Sequence, residues 1–169
     1  MVEIGVATEN QILDCMFAIR ESHKALVEKE QFSARQILPS FPQLAEEQNE
    51  GTLFCAMQGR MVLGTITLIQ QHIDYDEPLC DKWEDKTRPS LMIKRVAVHP
   101  SWQHKEVGSQ MVEFAEHYGR DAGLTSIKIE IPEGFKVLED FYQACGFSHR
   151  GTYTLTRSPY HVTLLEKSI

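Results

Sequence analysis

Apolar and polar positions alternate from Val2 to Ala7, the period of a strand with one buried face. After Thr8 the period lengthens. Ile12, Leu13, Met16 and Phe17, running on to Arg20, recur at helical spacing and predict an amphipathic helix with Thr8 as N-cap, continuing toward Glu30. Pro39 and Pro42 break the chain, and a second short helix is predicted over Gln43 to Asn49, stopped by Gly51. Leu53 to Met57 and Met61 to Gln70 read as strands of a hairpin, turned at Gln58-Gly59-Arg60. Gly64 inside the second strand predicts a bulge or the close approach of another backbone or a ligand.

The segment Gln71 to Pro89 is polar, acidic and aromatic, without a period. It reads either as a functional loop or as a solvated insertion. Leu91 to Val98 is a strongly apolar strand. The helix after it is predicted over Val107 to Ala122, with Val107, Met111, Phe114, Ala115 and Tyr118 on its apolar side and Gly123 as its stop. Ser126 to Ile131 follows as a strand, which makes a β-α-β unit and a parallel pair. Lys136 to Cys145 reads as a helix with Val137, Leu138, Phe141 and Cys145 on one side, ended by Gly146. Phe147 to Tyr153 and Tyr160 to Glu166 close the chain as antiparallel strands.

A chain of 169 residues fits a single domain, 1–169, and can bury a sizeable core. The net charge of −7 disfavours a nucleic-acid partner, whose phosphates call for clustered Lys and Arg. No apolar run approaches the roughly 18–20 residues of a membrane span. The N-terminus lacks a basic stretch followed by an apolar one, so a cytoplasmic protein is expected, without membrane association. Cys15, Cys55, Cys80 and Cys145 form no C-x-x-C pair and have no His cluster at zinc spacing. They are expected to be reduced and mostly buried, and no metal is expected.

The segment R-V-A-V-H-P-S-W-Q-H-K-E-V-G-S, Arg95 to Ser109, carries the most chemistry. A strand runs into a short polar loop, and the loop opens a helix. Backbone N–H groups converge at such a helix start, where proteins hold phosphate.

This segment resembles the cofactor loop of the GCN5-related N-acetyltransferases, whose pattern Q/R-x-x-G-x-G/A stands here as Gln103-His104-Lys105-Glu106-Val107-Gly108. Phe141-Tyr142-Gln143-Ala144-Cys145-Gly146-Phe147 resembles the family's Y-x-x-x-G-F signature. The element order β-α-α-β-β-β-α-β-α-β-β is similar to the family's over nearly the whole chain. The resemblance implies an α/β (α+β) fold: a central mixed, mostly antiparallel sheet, a splayed parallel pair formed by Leu91 to Val98 and Ser126 to Ile131, and helices on both faces. It implies acetyl-CoA as co-substrate. Backbone groups of Val96, Ala97 and Val98 would pair with the pantetheine arm, and Gln103, His104, Lys105, Val107, Gly108 and Ser109 would hold the pyrophosphate. Tyr142 matches the tyrosine that donates a proton or hydrogen bond to the leaving thiolate.

Two positions depart from the pattern. Glu106 replaces the first glycine of the loop. A non-glycine residue at positive φ costs about 1–2 kcal/mol, and a carboxylate beside a pyrophosphate repels it by up to ~4 kcal/mol at contact and an effective dielectric near 20. Phe135 stands where the family often has an asparagine, and cannot donate that hydrogen bond. Candidates for a general base are Glu84, Asp74, Glu77 and His72, each also readable as a solvated loop residue. His99, before Pro100, more often shapes a turn. Trp83 and Tyr75 either wall an acceptor pocket or anchor the loop. Cys145, on the buried face at a helix end, is a poor nucleophile.

The implied activity is acetyl transfer from acetyl-CoA to a primary amine of a small or amino-acid-like molecule by direct attack. A non-catalytic relative, acting as a CoA-binding or protein-interaction module, is the second reading, carried by Glu106 and Phe135. Edge strands at the C-terminus permit a homodimer.

Overall fold

A computed structural model describes residues 1–30, 38–71, 79, 81–87, 89–154 and 161–169. The strands are β1 (Glu3–Val6), β2 (Leu53–Gln58), β3 (Met61–Gln71), β4 (Ser90–Val98), β5 (Ser126–Pro132), β6 (Ser148–Thr154) and β7 (His161–Ser168). The helices are α1 (Ile12–Glu30), α2 (Phe41–Asn49), α3 (Val107–Asp121) and α4 (Lys136–Ala144). One seven-stranded sheet has the order β1-β2-β3-β4-β5-β7-β6. β4 and β5 run parallel, with Leu91 opposite Ile127 and Met92 opposite Lys128. The mixed, mostly antiparallel sheet expected from the element order is therefore present. No described helix is long and apolar enough to cross a membrane.

By internal contacts the chain forms two compact units, residues 1–68 with 94–115, and 69–93 with 116–169. In the first unit, β1 pairs β2 and β2 pairs β3, both antiparallel. Ala7, Ile12, Cys15, Ile19, Leu44, Leu53, Cys55 and Ala97 make a core there. The buried face of α1 thus carries Ile12, Cys15 and Ile19, whereas Leu13 and Phe17 are exposed. This rotates the predicted apolar stripe, because two small residues, Cys15 and Ala18, are the ones that fit closely against the core. Pro42 does not break the chain. It sits in the first turn of α2, where its missing N–H costs no helical bond, and Ser40 caps that turn.

The hairpin register slips between Ala56 and Met57: Ala56 faces Gly64, but Met57 faces Val62. Gly64 lies beside that slip and against β4. A Cβ built on Gly64 would lie 2.6 Å from the Ala97 carbonyl oxygen, 3.2 Å from Met111 Cε and 3.4 Å from Val98 Cα. The close backbone approach expected at this glycine is real, and β4 is its source.

In the second unit, β5 pairs β7 and β7 pairs β6, both antiparallel. Lys128 lies directly opposite Glu166, and both are buried. Glu166 accepts the N–H groups of Glu84 (2.8 Å) and Asp85 (3.1 Å) and Nε of Arg150 (3.0 Å). Lys128 Nζ donates to the Asp85 carbonyl at 2.7 Å. Two buried charges are thereby matched, as a low-dielectric interior requires. The Asp85 carboxyl sits at about 2; burial acts to raise it, and hydrogen bonds from Thr125 and Thr87 outweigh that.

Gly64→Ala should cost about 1–3 kcal/mol of stability, since backbone rather than a flexible side chain meets the new methyl. Urea unfolding followed by circular dichroism reads this directly. An unshifted midpoint would mean that β4 is not seated as described.

Candidate functional site

β4 delivers the chain into the loop at a defined height. His99 N–H donates to the Leu63 carbonyl at 2.8 Å. Pro100–Trp102 then forms a single 3-10 turn, and His99 Nδ1 accepts the Ser101 N–H at 3.3 Å. The His99 ring also stacks on Phe17 of α1, 5.6 Å between centroids. As read from the His-Pro pair, this residue shapes the turn. Gln103 turns back and donates from Nε2 to the Val98 carbonyl at 3.0 Å. Lys105 Nζ donates to the Ser101 carbonyl at 2.9 Å and lies 4.6 Å from the centroid of the Trp102 ring.

His104 and Glu106 both adopt left-handed backbone, φ 60° and 63°. Glu106 therefore keeps the conformation that a glycine would take freely, at a cost of about 1–2 kcal/mol. Its side chain is exposed. Its carbonyl starts α3, accepting the Gln110 N–H and the Ser109 hydroxyl, each at 2.9 Å. Val107 and Met111 bury the first turn. The first helical bond of α3 is Gln110 N–H to the Glu106 carbonyl, so the N–H groups of Glu106, Val107, Gly108 and Ser109 have no acceptor within the helix. Left-handed residues alternating with right-handed ones are the backbone pattern by which proteins group amides around an anion. The six loop positions expected to face a pyrophosphate, Gln103, His104, Lys105, Val107, Gly108 and Ser109, lie on this turn. Gln103 contributes its side chain to the strand rather than to the mouth.

Upstream, β4 contains a third left-handed residue, Arg95, φ 53°. Its guanidinium is ion-paired with Glu47 of α2. The other Glu47 oxygen accepts the Thr67 hydroxyl at 2.9 Å. Burial lowers the guanidinium's pKa below its ordinary value. Val96, Ala97 and Val98 follow this kink directly. Sequence reading missed Glu47, because nothing in an exposed-looking helix marks it as the partner of a strand residue.

In the second unit, Tyr142 of α4 is buried between Phe141 and Phe147, with centroids at 4.9 and 5.4 Å and rings edge-on. The signature around it has a physical cause. Gly146, at φ 90°, donates to the Gln143 carbonyl at 2.9 Å, and Phe147 N–H donates to the Tyr142 carbonyl at 3.0 Å. This is a Schellman cap with its hydrophobic contact, Phe147 on Tyr142. Glycine supplies the left-handed residue, and the two aromatics close the helix end. Burial pushes the phenol well up, and the neighbouring Cys145 adds to it, so the hydroxyl stays protonated at neutral pH.

Other expectations are corrected. The one buried residue of α4 is Tyr142, not the stripe of Val137, Leu138, Phe141 and Cys145, which is half-buried. Cys145 is half-buried rather than buried; burial pushes its thiol up, so it remains a weak nucleophile. Cys15 and Cys55 are buried free thiols, and Cys80 lies outside the described residues. Phe135 is fully buried at the N-cap of α4, so that position belongs to the core. Trp83 is buried with Leu79, Val162 and Leu164 and anchors its loop. Glu84 is exposed and ion-paired with Arg150. His72, Asp74, Tyr75 and Glu77 lie outside the described residues.

The chain is similar in structure to several acetyltransferases. PaiA N-acetyltransferase from Thermoplasma acidophilum, solved with coenzyme A, matches with TM-score 0.75 and 16% identity, over 100% of this chain and 99% of that one. A GNAT-family acetyltransferase from Streptococcus agalactiae matches with TM-score 0.80 and 14% identity, over 99% and 95%. The ribosomal-protein-S18-alanine N-acetyltransferase from Escherichia coli gives TM-score 0.68 and 14% identity, over 100% and 94%. At these identities the likeness establishes the fold alone. No curated protein matches the chain significantly. In sequence, residues 14–147 match the model of the acetyltransferase (GNAT) family. With most of its length inside that match and the family's sheet order in place, the chain belongs to the GNAT acetyltransferase family.

Proposed function

We propose that this protein transfers the acetyl group of acetyl-CoA to a primary amine of a small or amino-acid-like molecule by direct attack. Family membership supports acetyl transfer in general. The observation that carries the cofactor reading is the left-handed turn at His104 and Glu106, which opens α3 and leaves the N–H groups of Glu106 to Ser109 without an intrahelical acceptor. Amides in this arrangement suit a diphosphate, and the α3 dipole adds partial positive charge. The backbone of Val96, Ala97 and Val98 offers strand-type hydrogen bonds to an amide-bearing pantetheine arm.

Acetyl-CoA supplies an activated thioester carbonyl. The neutral amine nitrogen bonds to that carbon, the C–S bond breaks, the nitrogen's proton passes to solvent water, and the CoA thiolate leaves and is protonated to the thiol. Tyr142 is assigned by its place in the motif as the donor to the leaving sulfur. Burial keeps the phenol protonated, so it can donate a hydrogen bond to that sulfur. Glu84 is committed to Arg150, so it is not assigned as the base. The direct route fits the thiol of Cys145, which burial keeps protonated.

A second reading, a CoA-binding or interaction module without turnover, draws on the Glu106 carboxylate beside the amide seat and on Phe135 in the core. Acetyl-CoA binding with no transfer to any panel of primary amines would favour it.

Acetyl-CoA at a hundred times its Kd should stabilise the fold by about 2.7 kcal/mol, read as a rise in Tm. No shift at millimolar cofactor would sink the cofactor site. Glu106→Gln removes the charge and keeps the φ cost, so it should tighten acetyl-CoA by several-fold, about 1 kcal/mol for a solvent-screened contact. Glu106→Gly should match that gain and also raise the Tm of the free protein. Equal affinities in calorimetry for all three chains would show that the carboxylate does not face the diphosphate. Tyr142→Phe should lower kcat ten- to a hundredfold with acetyl-CoA affinity unchanged. Wild-type turnover in that variant removes the phenol from the reaction.

A further inference from the structure

We infer that Glu47 is a positioning residue for the cofactor-carrying end of β4: its carboxylate clamps Arg95 in a left-handed kink, and the kink sets how Val96, Ala97 and Val98 present their backbone. The inference deepens the acetyl-CoA reading and rests on it.

Four observations converge. Arg95 is a non-glycine residue at φ 53° inside a strand, a conformation that its side chain resists. Strain of this kind persists where surrounding structure over-determines it, and it concentrates at functional sites. Here the determinant is visible, because the guanidinium is ion-paired with Glu47. Both side chains are largely withdrawn from water, 23% and 13% exposed, so this pair is not the screened surface kind.

Glu47 is itself fixed. Its second carboxylate oxygen takes the Thr67 hydroxyl of β3 at 2.9 Å. Its carbonyl takes both the N–H (2.9 Å) and the hydroxyl (3.1 Å) of Thr52. The clamp thus ties α2, β3 and β4 at one point. Beyond it, the strand is gripped again where Ala97 passes Gly64, and the Val98 carbonyl is taken by Gln103. Between the two grips the backbone has little freedom. An anchored kink leaves the pantetheine partner groups pre-set before binding, which reduces the ordering cost of association.

Glycine tolerates left-handed backbone without help, so Arg95→Gly should keep the kink with no need of Glu47. This gives a double-mutant test. Glu47→Gln retains an acceptor for Thr67 but loses the charge that holds Arg95. It should weaken acetyl-CoA about tenfold in calorimetry and speed amide hydrogen exchange across Val96 to Val98. Arg95→Gly should bind within threefold of wild type, and adding Glu47→Gln to it should change neither readout. A Glu47 that merely supports the fold would lower Tm in both backgrounds and leave Kd alone, and that result overturns the inference. If the wild-type chain binds no acetyl-CoA, the functional reading fails by itself. The exchange measurement then still decides: acceleration by Glu47→Gln that Arg95→Gly abolishes upholds the clamp, and unchanged exchange ends it.

Discussion

The seating of β4 on β3 at Gly64 is the constraint on which the first unit depends. The Ala97 carbonyl runs where any side chain on residue 64 would stand, at 2.6 Å from its Cβ position. The slip in the β2–β3 register falls directly beside that glycine, at Leu63. Once β4 is drawn in, the His99 N–H reaches Leu63, the 3-10 turn follows, and Met111 closes over the gap from α3. The shape of the polar loop is therefore inherited from an apolar hairpin that shares no sequence motif with it. This is how interiors transmit a local choice, because close packing leaves no slack to absorb it.

Chemistry is held in two different ways. In the first unit the groups of interest are backbone amides, so identity matters less than conformation, and a glutamate can occupy a glycine position if the turn is fixed from both sides. In the second unit a side chain is held, and the helix cap fixes it. Gly146 and Phe147 set the end of α4, and Tyr142 lies under that end with its ring wedged between two others. The same sequence signature can thus be understood as a capping device first and as a place for a phenol second.

Most elements were legible because period and punctuation agreed: among the described residues, the seven strands and the helices α1 to α4 lie within a few residues of their predicted bounds. The misses have physical causes. Pro42 looked like a breaker because its effect depends on whether it falls before or inside the first turn. The α1 face was read from its largest residues, but tight packing selected Cys15 and Ala18 and left Phe17 outside. Lys128 and Glu166 become partners only through the β5–β7 register, and Glu47 meets Arg95 across 48 positions of sequence. Such pairs depend on topology, which periodicity does not encode. Of the candidate site, the loop and the tyrosine stand out in the sequence as motifs, while the contacts of Glu47 and Gly64 that hold the strand in place do not.

The buried Lys128–Glu166 pair also redefines the segment from Trp83 to Thr87. By composition it is an acidic, polar connection of the sort that proteases cut and water penetrates. Yet two of its amides end on a carboxylate sealed within the sheet, one carbonyl on a sealed ammonium, and its indole lies in the core. To peel it away would strip both charges of their backbone hydrogen bonds in a dry interior, so this stretch is expected to come loose together with the sheet. It is better counted as an irregular part of the β-structure than as a tether between strands.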